Sequence, residues 1–161
     1  MTRTYRRPVV VFDCNVLVQA ISNSAGPSGQ AFRLLEKNVI DVCVSRAVLK
    51  ELRAVLQYPT VRRRFPILND EQIASFIEKL AFRGTLLRKV EHVFDYPRAR
   101  QDEPYIDLAA AARANYLVSR DKDLLSLATD TSLHGKQFRQ RFSHLHVLDP
   151  IAFNSLVAPK P

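Results

Sequence analysis

Cysteine is scarce in this chain of 161 residues: only Cys14 and Cys43 are present, both inside apolar runs and without C-x-x-C spacing. A small disulfide scaffold is excluded, and two buried, reduced thiols of a cytoplasmic protein are expected. No stretch of about 18 uncharged apolar residues occurs, so no membrane-spanning helix is expected. The basic lead up to Arg7, followed by Pro8-Val9-Val10-Val11-Phe12, imitates a signal peptide. Asp13 interrupts its apolar stretch, however, and no small-residue cleavage pattern follows. Internal repeats, low-complexity tracts and linkers are missing, as is any His or Cys cluster at metal-ligand spacing.

What remains is an ordinary globular composition, 47% apolar and 25% charged. A single domain over residues 1–161, with its core at about 8–153, is expected. A chain of this length buries roughly 70% of its unfolded surface without staples. The formal charge of +8 and pI near 9.9 favour an acidic partner such as nucleic acid or an anionic protein surface.

Periodicity alternates short β-rich runs with helical stretches. Residues 9–12 and 39–44 are continuous apolar runs without the alternation of a half-exposed strand, as in a parallel sheet covered on both faces. A helix is expected over residues 29–37, behind a loop at 22–28. Ser45 caps a second helix reaching Gln57, and Asn69, with Gln72 in the capping-box position, starts a third reaching Arg83. Arg62, Arg63 and Arg64 fall in the connection between these two. A weaker strand at 86–90, a turn near Pro97, a helix at 104–113 and strands at 116–119 and 145–148 follow, and Pro150 opens a terminal helix. This order predicts an α/β domain of three layers, α/β/α, with a mainly parallel central sheet.

Several acids resist a structural explanation. Asp13 directly follows one apolar strand and Asp121 stands just beyond another, where open parallel sheets form their ligand crevice. Helix capping is the alternative for each. Glu51 borders the apolar stripe of Val48, Leu52, Val55 and Leu56, and acids are seldom buried without a partner. Glu103 and Asp107 are four apart, a like-charge spacing that costs a helix about 0.2–0.5 kcal/mol. Stabilisation by the helix N-terminus is the competing account of Asp102, Glu103 and Asp107.

Four stretches in register carry a family resemblance: Phe12-Asp13-Cys14-Asn15-Val16-Leu17, residues 45–56 with Glu51, Asp102-Glu103-Pro104-Tyr105-Ile106-Asp107-Leu108-Ala109, and residues 116–125 from Tyr116 to Leu125. Together they resemble a PIN domain over about residues 8–153, most closely the subfamily of toxin components of toxin–antitoxin pairs. The resemblance implies a metal-dependent endoribonuclease whose first acid is Asp13, second Glu51 and fourth Asp121, with Asp123 accessory. Spacing to Asp121 favours Glu103 as the third acid, while Asp102 and Asp107 are close enough to substitute; Asn15 and Ser119 match polar positions that orient the first and fourth acids. A cognate antitoxin and a homodimer or higher homo-oligomer are the partners this resemblance implies.

Phosphodiester hydrolysis needs an activated water and neutralisation of developing negative charge, both supplied by divalent cations. Carboxylate oxygens suit Mg²⁺ and Mn²⁺. Carboxylates about 5 Å apart repel by roughly 3 kcal/mol at an effective dielectric near 20, which itself asks for a counterion. Arg62, Arg63, Arg64, Lys136, Arg139 and Arg141 are candidates for RNA phosphates, whose neutralisation gives sequence-independent affinity. The segment 129–144 is long for an α/β connection, and Phe138 with Phe142 can anchor one face of a short helix there. Two rivals remain. One is a PIN fold that only binds RNA or protein. The other is a haloacid-dehalogenase-like phosphatase, whose second Asp is replaced here by Asn15.

Overall fold

The computed structural model describes residues 6–160. The signal-like lead falls largely on residues 1–5, outside the described residues. Five strands, β1 (Val9–Phe12), β2 (Asp41–Ser45), β3 (Thr85–Leu87), β4 (Tyr116–Val118) and β5 (His146–Leu148), form one sheet in the order β3-β2-β1-β4-β5. Every pairing is parallel. Around it run α1 (Cys14–Ser22), α2 (Pro27–Glu36), α3 (Arg46–Leu56), α4 (Pro59–Arg64), α5 (Asp70–Arg83), α6 (Glu103–Ala112), α7 (Lys122–Ser126), α8 (Leu133–Arg141) and α9 (Pro150–Val157). The expected three-layer α/β/α architecture is what forms.

Its cause is in the strands: Val10, Val11, Val42, Val44, Leu117 and Val118 are all buried, which requires helices on both faces of the sheet. From β1 the chain builds outward through β2 to β3, then returns to place β4 on the other side of β1. The strand order therefore reverses between β1 and β4, the place where open α/β sheets bind ligands beyond their strand ends. Phe12 is in register with Val118, and the Asp13 N–H donates to the Val118 carbonyl at 3.1 Å. The chain positions just after both strands are thereby neighbours.

Capping follows the sequence closely. Ser45 accepts from the Val48 N–H, and Asn69 and Gln72 complete a reciprocal capping box. Arg113, at φ 50°, ends α6 in the left-handed conformation and turns the chain into β4.

Four placements differ from expectation. The apolar run from Cys14 to Ser22 is a full helix, α1, which sequence reading did not mark because its buried Val16, Leu17, Val18 and Ala20 leave little polar contrast. The Arg62-Arg63-Arg64 connection is the short helix α4, opened by Pro59 at its first turn. The strand expected at 86–90 is Thr85–Leu87. The turn near Pro97 becomes a tight helical segment, Pro97–Asp102, kinked internally at Ala99 and continuing directly into α6. This last change decides which acid reaches the crevice.

Candidate active site

Asp13 is 4% exposed and caps α1, its Oδ1 accepting from the Val16 N–H at 2.9 Å. Its other oxygen, Oδ2, accepts from the Ser119 hydroxyl. Ser119, fully buried, also accepts at Oγ from the Asp121 N–H at 2.9 Å. One hydroxyl thus fixes both the first acid and the turn that presents Asp121. Burial pushes the Asp13 carboxyl up to about 6, the Ser119 and Val16 hydrogen bonds oppose this, and the nearby charges of Asp121 and Glu51 add to it.

Asp121 caps α7 through the Asp123 N–H at 2.7 Å. So capping, the alternative account of Asp13 and Asp121, holds for both, yet leaves carboxylate lone pairs free for other partners. Asp123 is held from outside the cluster: Arg98 Nε lies 2.9 Å from its Oδ1, and the Tyr96 hydroxyl donates to its carbonyl at 2.7 Å.

One carboxylate oxygen from each of Asp102, Asp121 and Asp123 lies within 4.8 Å of the others. At that separation each ionised pair repels by roughly 3 kcal/mol at an effective dielectric near 20. Asp102 is 6% exposed, and its Oδ2 finds no hydrogen-bond partner among the described residues. An unsatisfied buried oxygen costs about 1–3 kcal/mol. Burial raises the Asp102 carboxyl to about 7, helped by the charges of Asp121, Asp13, Asp123 and Glu51. Five acids therefore sense one another across the crevice.

Glu51 enters from α3. The Tyr105 hydroxyl on α6 donates to its Oε2 at 2.7 Å, tying the second acid to the helix that follows Asp102. Burial, the neighbouring Cys14 thiol and this bond to Glu51 all raise the Tyr105 hydroxyl, so it remains a donor. Cys14 is pushed up to about 12 by burial and the charges of Glu51 and Asp13, an inert thiol as expected.

The other two candidates for the third position have different partners. Glu103 Oε2 accepts from the Tyr96 N–H at 2.7 Å. Asp107, 6% exposed, accepts at Oδ1 from the N–H groups of Val93 and Phe94 at 2.9 and 3.3 Å, while its Oδ2 pairs with His92 Nδ1 at 2.8 Å. Both are occupied in holding the loop ahead of Pro97, whereas Asp102 is the one brought to Asp121 and Asp123. Asp102 stands at the junction before α6 but makes no side-chain cap bond to it, so capping does not account for it.

Of the basic candidates, three are bound to the protein's own backbone. Arg62 donates to the carbonyls of Leu56 and Leu68 at 2.8 and 3.0 Å and to Gln57 Oε1 at 2.9 Å, and pairs with Asp70. Arg139 donates to the carbonyls of Leu127 and Asp130 at 2.8 and 2.7 Å, and Arg141 donates to that of Val93. Arg63, Arg64 and Lys136 are exposed, as is Asn15 at the first turn of α1. Phe138 and Phe142 are buried as expected and pack with Phe94.

Sequence reading missed Tyr105, Tyr96 and Arg98, each of which positions an acid from a distant element. Nothing local marks them, because the contacts span 54, 27 and 25 residues.

The family description "PIN domain" matches residues 9–123, from β1 to the second residue of α7. An uncharacterized protein of Methanocaldococcus jannaschii is 26% identical over 144 residues, covering 89% of this chain and 88% of its own. No helix among the described residues is long and apolar enough to cross a membrane.

Proposed function

We propose a function from the premise that this chain belongs to the PIN-domain family, whose members are in general nucleases: it is an endoribonuclease that hydrolyses RNA phosphodiester bonds with Mg²⁺ or Mn²⁺. The observation carrying this reading is the unpartnered, buried Asp102 Oδ2 within the Asp102, Asp121 and Asp123 cluster. A set of oxygen donors that repel one another fits a hard divalent cation. Asp13, Glu51, Asp102 and Asp121 would hold it, with Asp123 beside them and Asp102 taking the third position in place of Glu103 or Asp107. A cation so held supplies Lewis-acid neutralisation of the charge that develops on a phosphodiester.

The chain's own residues prepare that site. Ser119 orients Asp13, Tyr105 orients Glu51, and Arg98 with Tyr96 fixes Asp123. Such supporting partners set carboxylate direction and are worth about 10–100-fold in metal affinity or activity. Asp13 and Asp102, raised to about 6 and about 7, must lose their protons before they can serve as ligands, so loading strengthens as pH rises through neutrality.

The resemblance of the four acid-bearing stretches to toxin components supports a role as the toxin of a toxin–antitoxin pair. Expression of the wild-type chain alone should then arrest growth, and Asp13→Asn should relieve the arrest. For the nuclease itself, mixed RNAs incubated with Mg²⁺, Mn²⁺ or chelator, followed by mapping of the cut ends, should give metal-dependent internal cuts. Intact RNA with every cation would reject the reading.

A further inference from the structure

Beside the acid cluster lies a second feature that the proposed chemistry does not use. A cavity of about 450 Å³ opens between α1, α3 and α4. This is within the range of roughly 300–1,000 Å³ typical of ligand sites. The three segments that carry Asp13, Glu51 and Asp121 continue directly into it. Asn15 is two residues beyond Asp13, Val55 is one helical turn beyond Glu51, and Arg120 immediately precedes Asp121. Each of the three acid-bearing segments therefore also contributes to the cavity wall.

Its lining divides into two chemistries. Val55, Val61 and Phe65, each half-buried, form an apolar floor, while Arg64 and Arg120 stand exposed at the rim. Neither arginine makes an ion pair with a described carboxylate, whereas Arg62, two residues away, is fully engaged. Both are nonetheless held in place. The Arg64 guanidinium sits over the Phe65 ring at 5.4 Å from its centre, and Arg120 donates to Gln19 Oε1. Arginines prepositioned in this way lose less freedom when they bind a phosphate.

We propose that this cavity receives one unpaired nucleotide of a single-stranded RNA, with Arg64 and Arg120 on the flanking phosphates and the base against Val55, Val61 and Phe65. This rests on the nuclease reading for the strand's identity, and adds where the strand runs. A base stacked inside a duplex cannot reach an apolar floor, whereas an unstacked base can lie on it. Two free positive charges next to a cluster that takes up cations give the phosphate backbone its electrostatic path.

The test is anisotropy titration of a short labelled single-stranded RNA and of its blunt duplex. Ca²⁺ replaces the catalytic cation, and probe integrity is checked by gel. Arg64→Ala and Arg120→Ala should each weaken single-strand binding about tenfold. Each should also lower the log–log salt slope by about 0.7, one single-strand phosphate contact. Arg120→Lys, which keeps the charge, should retain the slope. Lys37→Ala, an equal charge change at an exposed residue just after α2 and outside the cavity lining, is the reference for general electrostatics. Arginine variants indistinguishable from Lys37→Ala, or a duplex bound as tightly as the single strand, would overturn the proposal. Metal-dependent cleavage scored separately keeps the two readings apart. Cleavage without the arginine effect removes this groove and leaves the nuclease, and the arginine effect without cleavage does the reverse.

Discussion

Ser119 donates its hydroxyl to the Asp13 carboxylate across 106 residues of chain, joining the end of β4 to the end of β1. The same oxygen receives the Asp121 N–H, so a single buried side chain sets the first acid and the turn bearing the fourth. Ser119→Ala should leave the fold intact by circular dichroism and weaken Mn²⁺ binding by about 10–100-fold in calorimetry. Unchanged affinity would show that Asp13 needs no such orientation.

The acids near α6 should separate by what each touches. Asp102→Asn removes a repelled, unpartnered carboxylate, so it should raise the melting temperature of the metal-free protein while weakening Mn²⁺ binding. Asp107→Asn should instead destabilise by about 1–3 kcal/mol, because its amide oxygen can still accept from the Val93 and Phe94 N–H groups but the amide nitrogen loses the charged pairing of Oδ2 with His92. Glu103→Gln keeps an acceptor for the Tyr96 N–H and should change Mn²⁺ affinity least. Paired thermal melts and titrations check all three, and a loss of metal binding confined to Glu103→Gln would reverse the assignment.

The raised carboxyls give the metal-free protein a pH dependence of known sign. Asp13 at about 6 and Asp102 at about 7 bind more protons when folded than unfolded, so they cost stability increasingly as pH climbs from about 4 to 7. Mn²⁺ should oppose this, and the rise in melting temperature it causes should be larger at about pH 8 than at about pH 5.5. A shift that does not grow with pH would count against these two carboxyls as ligands.

His92 provides the opposite sign. Its hydrogen bonds to Asp107 and then Asp95 raise it to about 9, above its ordinary 6.5. The stability it contributes is fully present below about 6.5 and is lost as pH rises through about 9. The melting-temperature gap between wild type and His92→Phe should therefore shrink over that window, and a constant gap would indicate packing alone.

Arg62 acts as a bracket between α3, α4 and the loop before α5, with two backbone carbonyls at 2.8 and 3.0 Å. Arg62→Ala should lower stability by about 1–3 kcal/mol in urea unfolding, the cost of carbonyls left without their donor. Arg63→Ala, an exposed neighbour, should stay within about 0.5 kcal/mol of wild type.

The sheet and most helices were legible because β1, β2 and β4 are continuous apolar runs and because Ser45, Asn69 and Gln72 place their caps in plain sequence. Asp13 and Asp121 were legible for the same reason: each immediately follows or nearly follows a strand. Helix α1 was not, since a helix buried on most sides has little polar contrast to reveal its period. The third position is less legible: spacing favours Glu103 among three neighbours, whereas the placement of Asp102 beside Asp121 and Asp123 depends on the kink at Ala99 and the tight segment before α6. That backbone path turns Asp102 toward Asp121 while Glu103 and Asp107 hold the preceding loop. Spacing along a regular helix cannot express it, nor can it reveal that Arg62, Arg139 and Arg141 spend their donors on backbone carbonyls.

The central claim is that the acids converging at the β1 and β4 ends form a cation-dependent ribonuclease site. Its most direct test is cleavage of a labelled single-stranded RNA by wild type, Asp13→Asn and Asp121→Asn, each with Mn²⁺ and with chelator. The account predicts internal cleavage by the wild type with Mn²⁺, none with chelator, and none by either variant although both remain folded. Cleavage that survives chelation and both substitutions would contradict it.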